Sequence, residues 1–424
     1  VLLNNNYMKW VLLTVASGFF SEICFVVHSQ ETLPHQNLIA MKEVSDFKVS
    51  PDGAIMAHLA PHEGFLNLWI GNKGGRNLQL VTQENRSVGE YWWQYDSQHL
   101  LYLHDPDGAE NWHLYQTDLK GFNTRDLTPF RGVQARVVAY RPQAPDQMLI
   151  AINLQDRSRH DLYRLSLNHG ALSLTHINSE GMIDWLADTK LEARVAISIN
   201  ESGYFELLYR VASSTQWETA YKFPTSSQMP RLISLSPDGK TACFQDHHQD
   251  SGNRLWTIDL ETLTITALGP KTEDNILECL IDPINGMPEG IAMNSHQRSW
   301  HMFGDTYGDM MDFLRFDPGN LSFPSRSIQN THWVVEYRDS SMSTTHQLFS
   351  FGDRYQVRLL GMERPALRGQ TLAETKRVTF PGPHQGVIPA AWTAPLGAAD
   401  QPYQGVLIRV GGDYREPAHL AYDE

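Results

Sequence analysis

Three carboxylates fall within one short run, Asp105-Pro-Asp107-Gly108-Ala-Glu110. Grouped at the mouth of a fold, they could take the ammonium group of a peptide N-terminus. The same run is turn chemistry, in which aspartates accept from backbone N–H groups and glycine takes a positive φ; the turn is the expectation here. His247-His248 with Asp246 and Asp250 has the residue types of a metal site. Adjacent histidines in a strand-to-strand loop diverge, so a solvated loop is expected and no metal is assigned. Gly74-Gly75 reads as a hairpin turn and not a phosphate cradle, because no helix follows it. Cys243 and Cys279 are expected as two buried free thiols, a disulfide between them being the alternative. No Cys/His spacing suggests a structural metal, and no cofactor is expected.

The elements that position these residues are strands. Residues 99–131 hold three strand-like runs: Leu100 to His104, Trp112 to Asp118, and a third closing on Asp126-Leu-Thr-Pro129. Asp-Gly and Gly punctuation separates them, as in antiparallel strands joined by short turns. Trp112 and Tyr115 read as blade core. The outline recurs along the chain, with segments beginning near Phe47, Gly89, Ala135, Met182, Pro230, Ile276 and Thr331. That period, about 40 to 50 residues, is the length of a β-propeller blade. Ser50-Pro-Asp-Gly53 and Ser236-Pro-Asp-Gly239 fall at matching places, in the turn from first to second strand. The fold class is therefore all-β, a seven-bladed propeller over residues 37–375. A β-sandwich has similar strand spacing but does not repeat at a fixed period.

The chain has 424 residues, 41% of them hydrophobic and 10% aromatic, enough for a large core or several. Its net charge of −14 and the lack of a Lys/Arg cluster argue against nucleic acid as a partner. Met8-Lys9 precedes an apolar run from Trp10 to Phe20 and a second from Ile23 to Val27, and Val27-His28-Ser29 fits a small-residue cleavage pattern. Residues 1–29 are thus read as a secretory signal peptide starting at Met8, which makes the chain exported, periplasmic or extracellular, with no membrane span after cleavage. An uncleaved anchor is the alternative, and Glu22 makes it a poor one.

Against this background, SPDGAIMAHLAPHEGFLNLWIGN, DGAENWHLYQTDL followed by RDLTPFRGVQAR, HDLYRLSL, MIDWLADTKLEARVAI and RPALRGQTLAETKRVTF occur in an order and at a spacing that resemble the propeller of the prolyl oligopeptidase family of serine peptidases, in particular its acylaminoacyl-peptidase-like bacterial branch. The likeness runs from about Leu33 onward. It implies that an α/β-hydrolase domain follows the propeller. Gly386-Val-Ile-Pro-Ala-Ala-Trp392 and Gly405-Val-Leu-Ile-Arg-Val-Gly-Gly412 resemble that domain's opening strands, so residues 376–424 are read as its truncated start.

Two departures from the family pattern shape the functional expectation. Where the family has His-Gly-Gly-Pro, this chain reads Val410-Gly411-Gly412-Asp413, a remnant of the turn that helps build an oxyanion hole. No glycine is followed two residues later by serine, so the chain has no Gly-x-Ser-x-Gly nucleophile elbow. The resemblance implies a catalytic Ser, Asp and His beyond Glu424. The chain is thus expected to be the substrate-gating propeller of an exported serine oligopeptidase-like protein, inactive by itself, with short peptides or a hydrolase domain as partners. The alternative is a stand-alone propeller that binds peptide or protein, or a gene relic.

Overall fold

The computed structural model describes residues 40–393, except 212–213, 225–228, 249–251, 273–275, 295–297, 305–319, 340–341, 353–354, 369, 371–374 and 382–386. Among the described residues, six four-stranded sheets and one three-stranded sheet follow one another along the chain, each with its strands in sequence order. These are the seven blades. Their first strands are Ser45–Val49, Tyr91–Trp93, Ala135–Tyr140, Met182–Ala187, Arg231–Leu235, Ile276–Ile281 and Asn320–Arg326. The expected starts agree for six blades and fail for the seventh. Residue 331 opens its second strand, His332–Asp339, whereas the first is Asn320–Arg326. Its sequence NLSFPSR carries a proline and polar residues that read as a turn, and its pairing is bulged between Ser322 and Ser325.

Contacts between neighbouring blades repeat with the same period. Tyr91 Oη donates to the Asp46 carbonyl at 2.5 Å, Trp93 Nε1 to the Lys48 carbonyl at 2.9 Å, and the Tyr95 amide to Tyr140 Oη at 3.0 Å, each pair 45 residues apart. In blade seven the Phe323 amide donates to Glu278 Oε1, again across 45 residues. Apolar side chains fill the wedges between blades: Leu68, Tyr91, Leu100 and Tyr102 between blades one and two, and Leu101, Leu114, Met148 and Ile150 between two and three, all fully buried. No blade can bury its apolar faces alone, so the stacking is the core.

The last wedge closes the ring. Phe47, Val49 and Met56 of blade one pack on Val334 and Leu348 of blade seven. Every strand of blades one and seven comes from its own segment, so packing and hydrogen bonds such as Ile328 amide to Pro51 carbonyl at 3.0 Å, not a shared strand, make this closure. The turns behave as read. Ser50 and Ser236 hydroxyls each donate to the aspartate two residues on at 2.6 Å, and Gly53 and Gly239 take φ of +79° and +71°. Gly75 lies in the hairpin after Phe65–Asn72, its amide donating to the Asn72 carbonyl.

Strand alternation fixes two faces. Turns from first to second and from third to fourth strands gather on one, here the far face. Loops from second to third strands and the links between blades gather on the other, the entry face. The chain enters blade one and leaves blade seven on the entry face, where the Glu43 amide donates to the Glu363 carbonyl at 2.8 Å and Lys42 pairs with Glu363 at 3.3 Å. Beyond it, Thr375–Pro381 and Val387–Thr393 form a separate antiparallel pair.

Two further expectations change. His247 and His248 lie in the second strand of blade five, Thr241–His248, and not in a loop; beside them Asp246 is 3% exposed. Eight ladder pairs to Gly252–Asp259 carry that strand past the point where the polar side chains suggested a break. Among the described residues no three His, Cys, Asp or Glu are placed to hold a metal ion. Cys243 and Cys279 are free thiols packed in one cluster between blades five and six, but Cys243 is buried and Cys279 only half-buried, because it sits on an inner strand with partly accessible neighbours.

Candidate functional site

The run Asp105 to Trp112 links the second and third strands of blade two, His99–His104 and His113–Asp118, so it stands on the entry face. Asp105 is buried and spends its carboxylate on its own loop, accepting from the Gly108 amide at 3.1 Å and the Glu110 amide at 2.9 Å. Gly108 has φ +70°, which glycine takes without strain, and a side chain there would have to displace the Arg86 guanidinium, 2.6 Å from an added Cβ. Asp107 and Glu110 are exposed. The three carboxylates thus share a loop, but one of them is committed to shaping it. His113, at the loop's foot, pairs with Asp126 at 2.8 Å, and that hydrogen bond raises its pKa.

Beside this loop a groove of about 230 Å³ opens between blades two and three. Its floor is Gly89, its wall the Trp112 ring, and its rims carry Glu90, Gln134 and Arg136. Trp112, expected in the blade core, is half-buried because it precedes the strand and leaves the sheet with the loop; Tyr115 is also only half-buried, against the core of blades one and two. Gly89 makes room for the indole: a Cβ there would lie 2.8 Å from Trp112 Cζ3 and 3.2 Å from the Leu103 carbonyl. Gln134 is held by its Nε2 donating to the Glu110 carbonyl at 3.4 Å, and its Oε1 accepts from Arg136 Nη2 at 3.2 Å. The loop that carries the three carboxylates therefore also braces the groove.

Glu90 and Arg136 belong to the inner edges of their blades. Along these inner strands buried residues alternate with accessible ones: Glu90 is exposed before buried Tyr91, Arg136 is exposed after buried Ala135, and Arg231 is exposed at the start of blade five. The accessible set lines the axial channel. Glu90 meets water yet is walled by protein, and this burial raises its pKa; Lys48 opposes the shift and Asp46 adds to it. Lys48 itself is held by Asp46 at 3.3 Å and by the Tyr91 carbonyl at 2.7 Å. Beside Arg136, burial first and the Arg136 charge second together lower the pKa of His160 to about 4. A groove with an aromatic wall, a carboxylate at one rim and a guanidinium at the other can bind a short zwitterionic chain by stacking and paired charges.

Sequence reading passed over Glu90, Trp112 and Arg136 as site residues. The available signal was a charged residue at the head of an otherwise apolar inner strand, Glu90 before Tyr-Trp-Trp and Arg136 in Ala-Arg-Val-Val. Val410, Gly411 and Gly412 lie outside the described residues.

No family model matches the chain. It is 26% identical over 404 residues to dipeptidyl aminopeptidase BIII of Pseudoxanthomonas mexicana, covering 92% of this chain and 58% of that protein. Among solved structures, a puromycin-hydrolyzing peptidase of Mycobacterium tuberculosis superposes with a TM-score of 0.55 at 11% identity, over 84% of this chain and 59% of its own. A prolyl endopeptidase superposes with a TM-score of 0.54 at 8% identity, over 82% of this chain and 54% of its own. The chain thus spans less than two thirds of these relatives. Blade period, blade order and the match across nearly the whole chain agree: the seven blades resemble the propeller of prolyl oligopeptidase-family peptidases.

Proposed function

We propose that this chain is the substrate-gating propeller of an exported serine oligopeptidase-like protein. It presents short peptides to a hydrolase domain and excludes folded proteins by size. The observation that supports this best is the entry face, where the chain's own entry and exit are tied and the Gly89–Trp112 groove opens. Whatever follows blade seven leaves from the side on which the groove lies. Exclusion of folded proteins needs no particular side chain, only a ring whose opening is narrower than a domain. Capture of a short peptide needs complementary charges, which Glu90 and Arg136 supply.

The 424-residue chain is expected to bind unblocked tripeptides and to leave them intact. Without a Gly-x-Ser-x-Gly elbow there is no activated serine to form an acyl intermediate. Calorimetric titration with a tripeptide and incubation with a fluorophosphonate probe test the two halves. Stoichiometric labelling of any serine would overturn the inactivity. Equal binding of a tripeptide and a folded protein would overturn the gate and favour a general binding module. Export is tested by fusing residues 1–40 to a reporter that is active only outside the cytoplasm.

A further inference from the structure

In a ring of seven blades, blades three and six are not neighbours, yet they touch. Gln143 stands in the turn between the first two strands of blade three, Ala135–Tyr140 and Gln147–Ile152. Its Nε2 donates to the Ile284 carbonyl at 2.9 Å, across 141 residues. Ile284 stands in the matching turn of blade six, between Ile276–Ile281 and Pro288–Asn294. Both turns follow inner strands, so both rim the channel on the far face, and their contact spans its mouth.

The blade-six turn is built as a stiff unit. Asp282 Oδ1 accepts from the amides of Ile284 at 2.8 Å and Asn285 at 2.7 Å, while Asn285 Oδ1 accepts from Met287 at 2.7 Å. The Gly286 amide closes the turn on the Asp282 carbonyl at 2.8 Å. Gly286 has φ +69°, and a Cβ there would meet Arg141 Nη1 at 2.7 Å, with the Leu235 carbonyl of blade five 3.8 Å away. Arg141 in turn donates to the Ala187 carbonyl of blade four at 3.3 Å. One turn therefore leans on blades three and five and, through Arg141, on four. The corresponding turns of blades one and five bond to adjacent blades: the Asp52 amide to Ser97 Oγ, and the Pro237 carbonyl to Thr189 Oγ1.

We propose that residues 282–287 form a lid over the far mouth of the axial channel, latched by Gln143, so that solutes reach the channel from the entry face unless the latch opens. The latch is made to open: Gln143 is exposed and Ile284 is 51% exposed, so water competes for their single hydrogen bond. The stiff turn would then swing as one piece on its two strand ends.

Thiol labelling tests this. Ser234→Cys places a small reporter next to Leu235, beneath the lid; Ser234 is 2% exposed and its hydroxyl has no hydrogen-bond partner. Burial pushes the native Cys279 thiol up to about 12, so its background reaction is slow. Cys24 is replaced by serine and Cys243 by alanine throughout, because Cys243 stands opposite residue 234 in the ladder and would pair with the reporter. With a small methanethiosulfonate reagent, Gln143→Ala should speed labelling of the reporter about fivefold, the factor expected from losing one ordinary hydrogen bond. A control reporter, Arg231→Cys, lies at the head of its inner strand toward the entry face and should label alike in both backgrounds. Equal Ser234→Cys rates in the released and native forms would overturn the lid. A rise at both reporters would mean general loosening of the ring and would overturn it too.

Discussion

At the scale of single residues, Gly89 decides whether the groove exists. It needs no unusual backbone angle; what it supplies is the missing side chain against Trp112. Gly89→Leu is expected to push the indole or fill the groove, with some loss of stability because a Cβ there also crowds the Leu103 carbonyl. Tripeptide affinity, measured by calorimetry at a temperature where circular dichroism shows the variant folded, should fall at least about tenfold, roughly 1.4 kcal/mol. Unchanged affinity would move the binding site elsewhere. The sequence showed this region but not its division of labour. Asp105 stood out because acidic residues in a turn are conspicuous, and it is used up by that turn. Glu90 and Arg136 stood beside apolar strand residues and read as strand ends. A groove is a relation between two blades, and spacing within one blade cannot show it.

At the scale of elements, the blade one–blade seven seam carries an unusual group of titratable side chains. His58 and His346 are 2% and 0% exposed, and Phe47 stacks on His58 at 4.7 Å and leans on His346 at 5.0 Å. Glu336 and Glu363 lie 3.4 and 3.9 Å from the two ring nitrogens of His346. Burial lowers the His58 pKa to about 4, with the His346 charge adding to the fall. A histidine whose pKa is depressed on folding favours the neutral form. Its contribution is therefore complete above the unfolded value near 6.5 and is lost as pH falls toward 4. His160 acts in the same sense; His113, raised by Asp126, acts in the opposite one, contributing below its unfolded value and losing that as pH rises. The urea midpoint is expected to drop between pH 7 and pH 5, and His58→Phe, which keeps the stack on Phe47, should flatten part of that slope. A slope unchanged in His58→Phe would assign the acid sensitivity to other groups. Strands themselves were the most readable elements, since alternation and Asp-Gly turns are local. Blade seven's first strand was missed because Pro324 and its neighbours carry turn chemistry inside a bulged strand. Such an edge is recognised only through its partner, His332–Asp339.

At the scale of the molecule, the repeat period alone made the seven-bladed ring readable, because stacking of like units needs only like units. How the ring closes was not readable. The two ends meet across nearly the whole chain, through side chains that show no pattern specific to closure: Val49, Met56, Val334 and Leu348 look like any other blade core. A ring of this kind fails first where it is joined. Each interior blade is bonded to two neighbours and linked by chain to both, whereas blades one and seven share no chain link and are joined by packing, by hydrogen bonds from the Val49 and Ile328 amides, and by the straps at Lys42, Glu43 and Glu363. Leu348→Ala should cost about 2–4 kcal/mol through the lost burial and the cavity left behind. Opening the seam turns the ring into an open stack whose end blades lack one interface each, so the loss should not be shared equally. Hydrogen exchange followed by mass spectrometry should therefore quicken in residues 45–62 and 332–350 before it changes in blades three to five. The matched substitution inside the ring, Leu149→Ala between blades three and four, removes the same chemistry where the chain still holds both sides. Its exchange should quicken locally and leave the seam protected. If both substitutions loosen all seven blades to the same extent, the ring unfolds as one unit and the seam is no weaker than any other wedge.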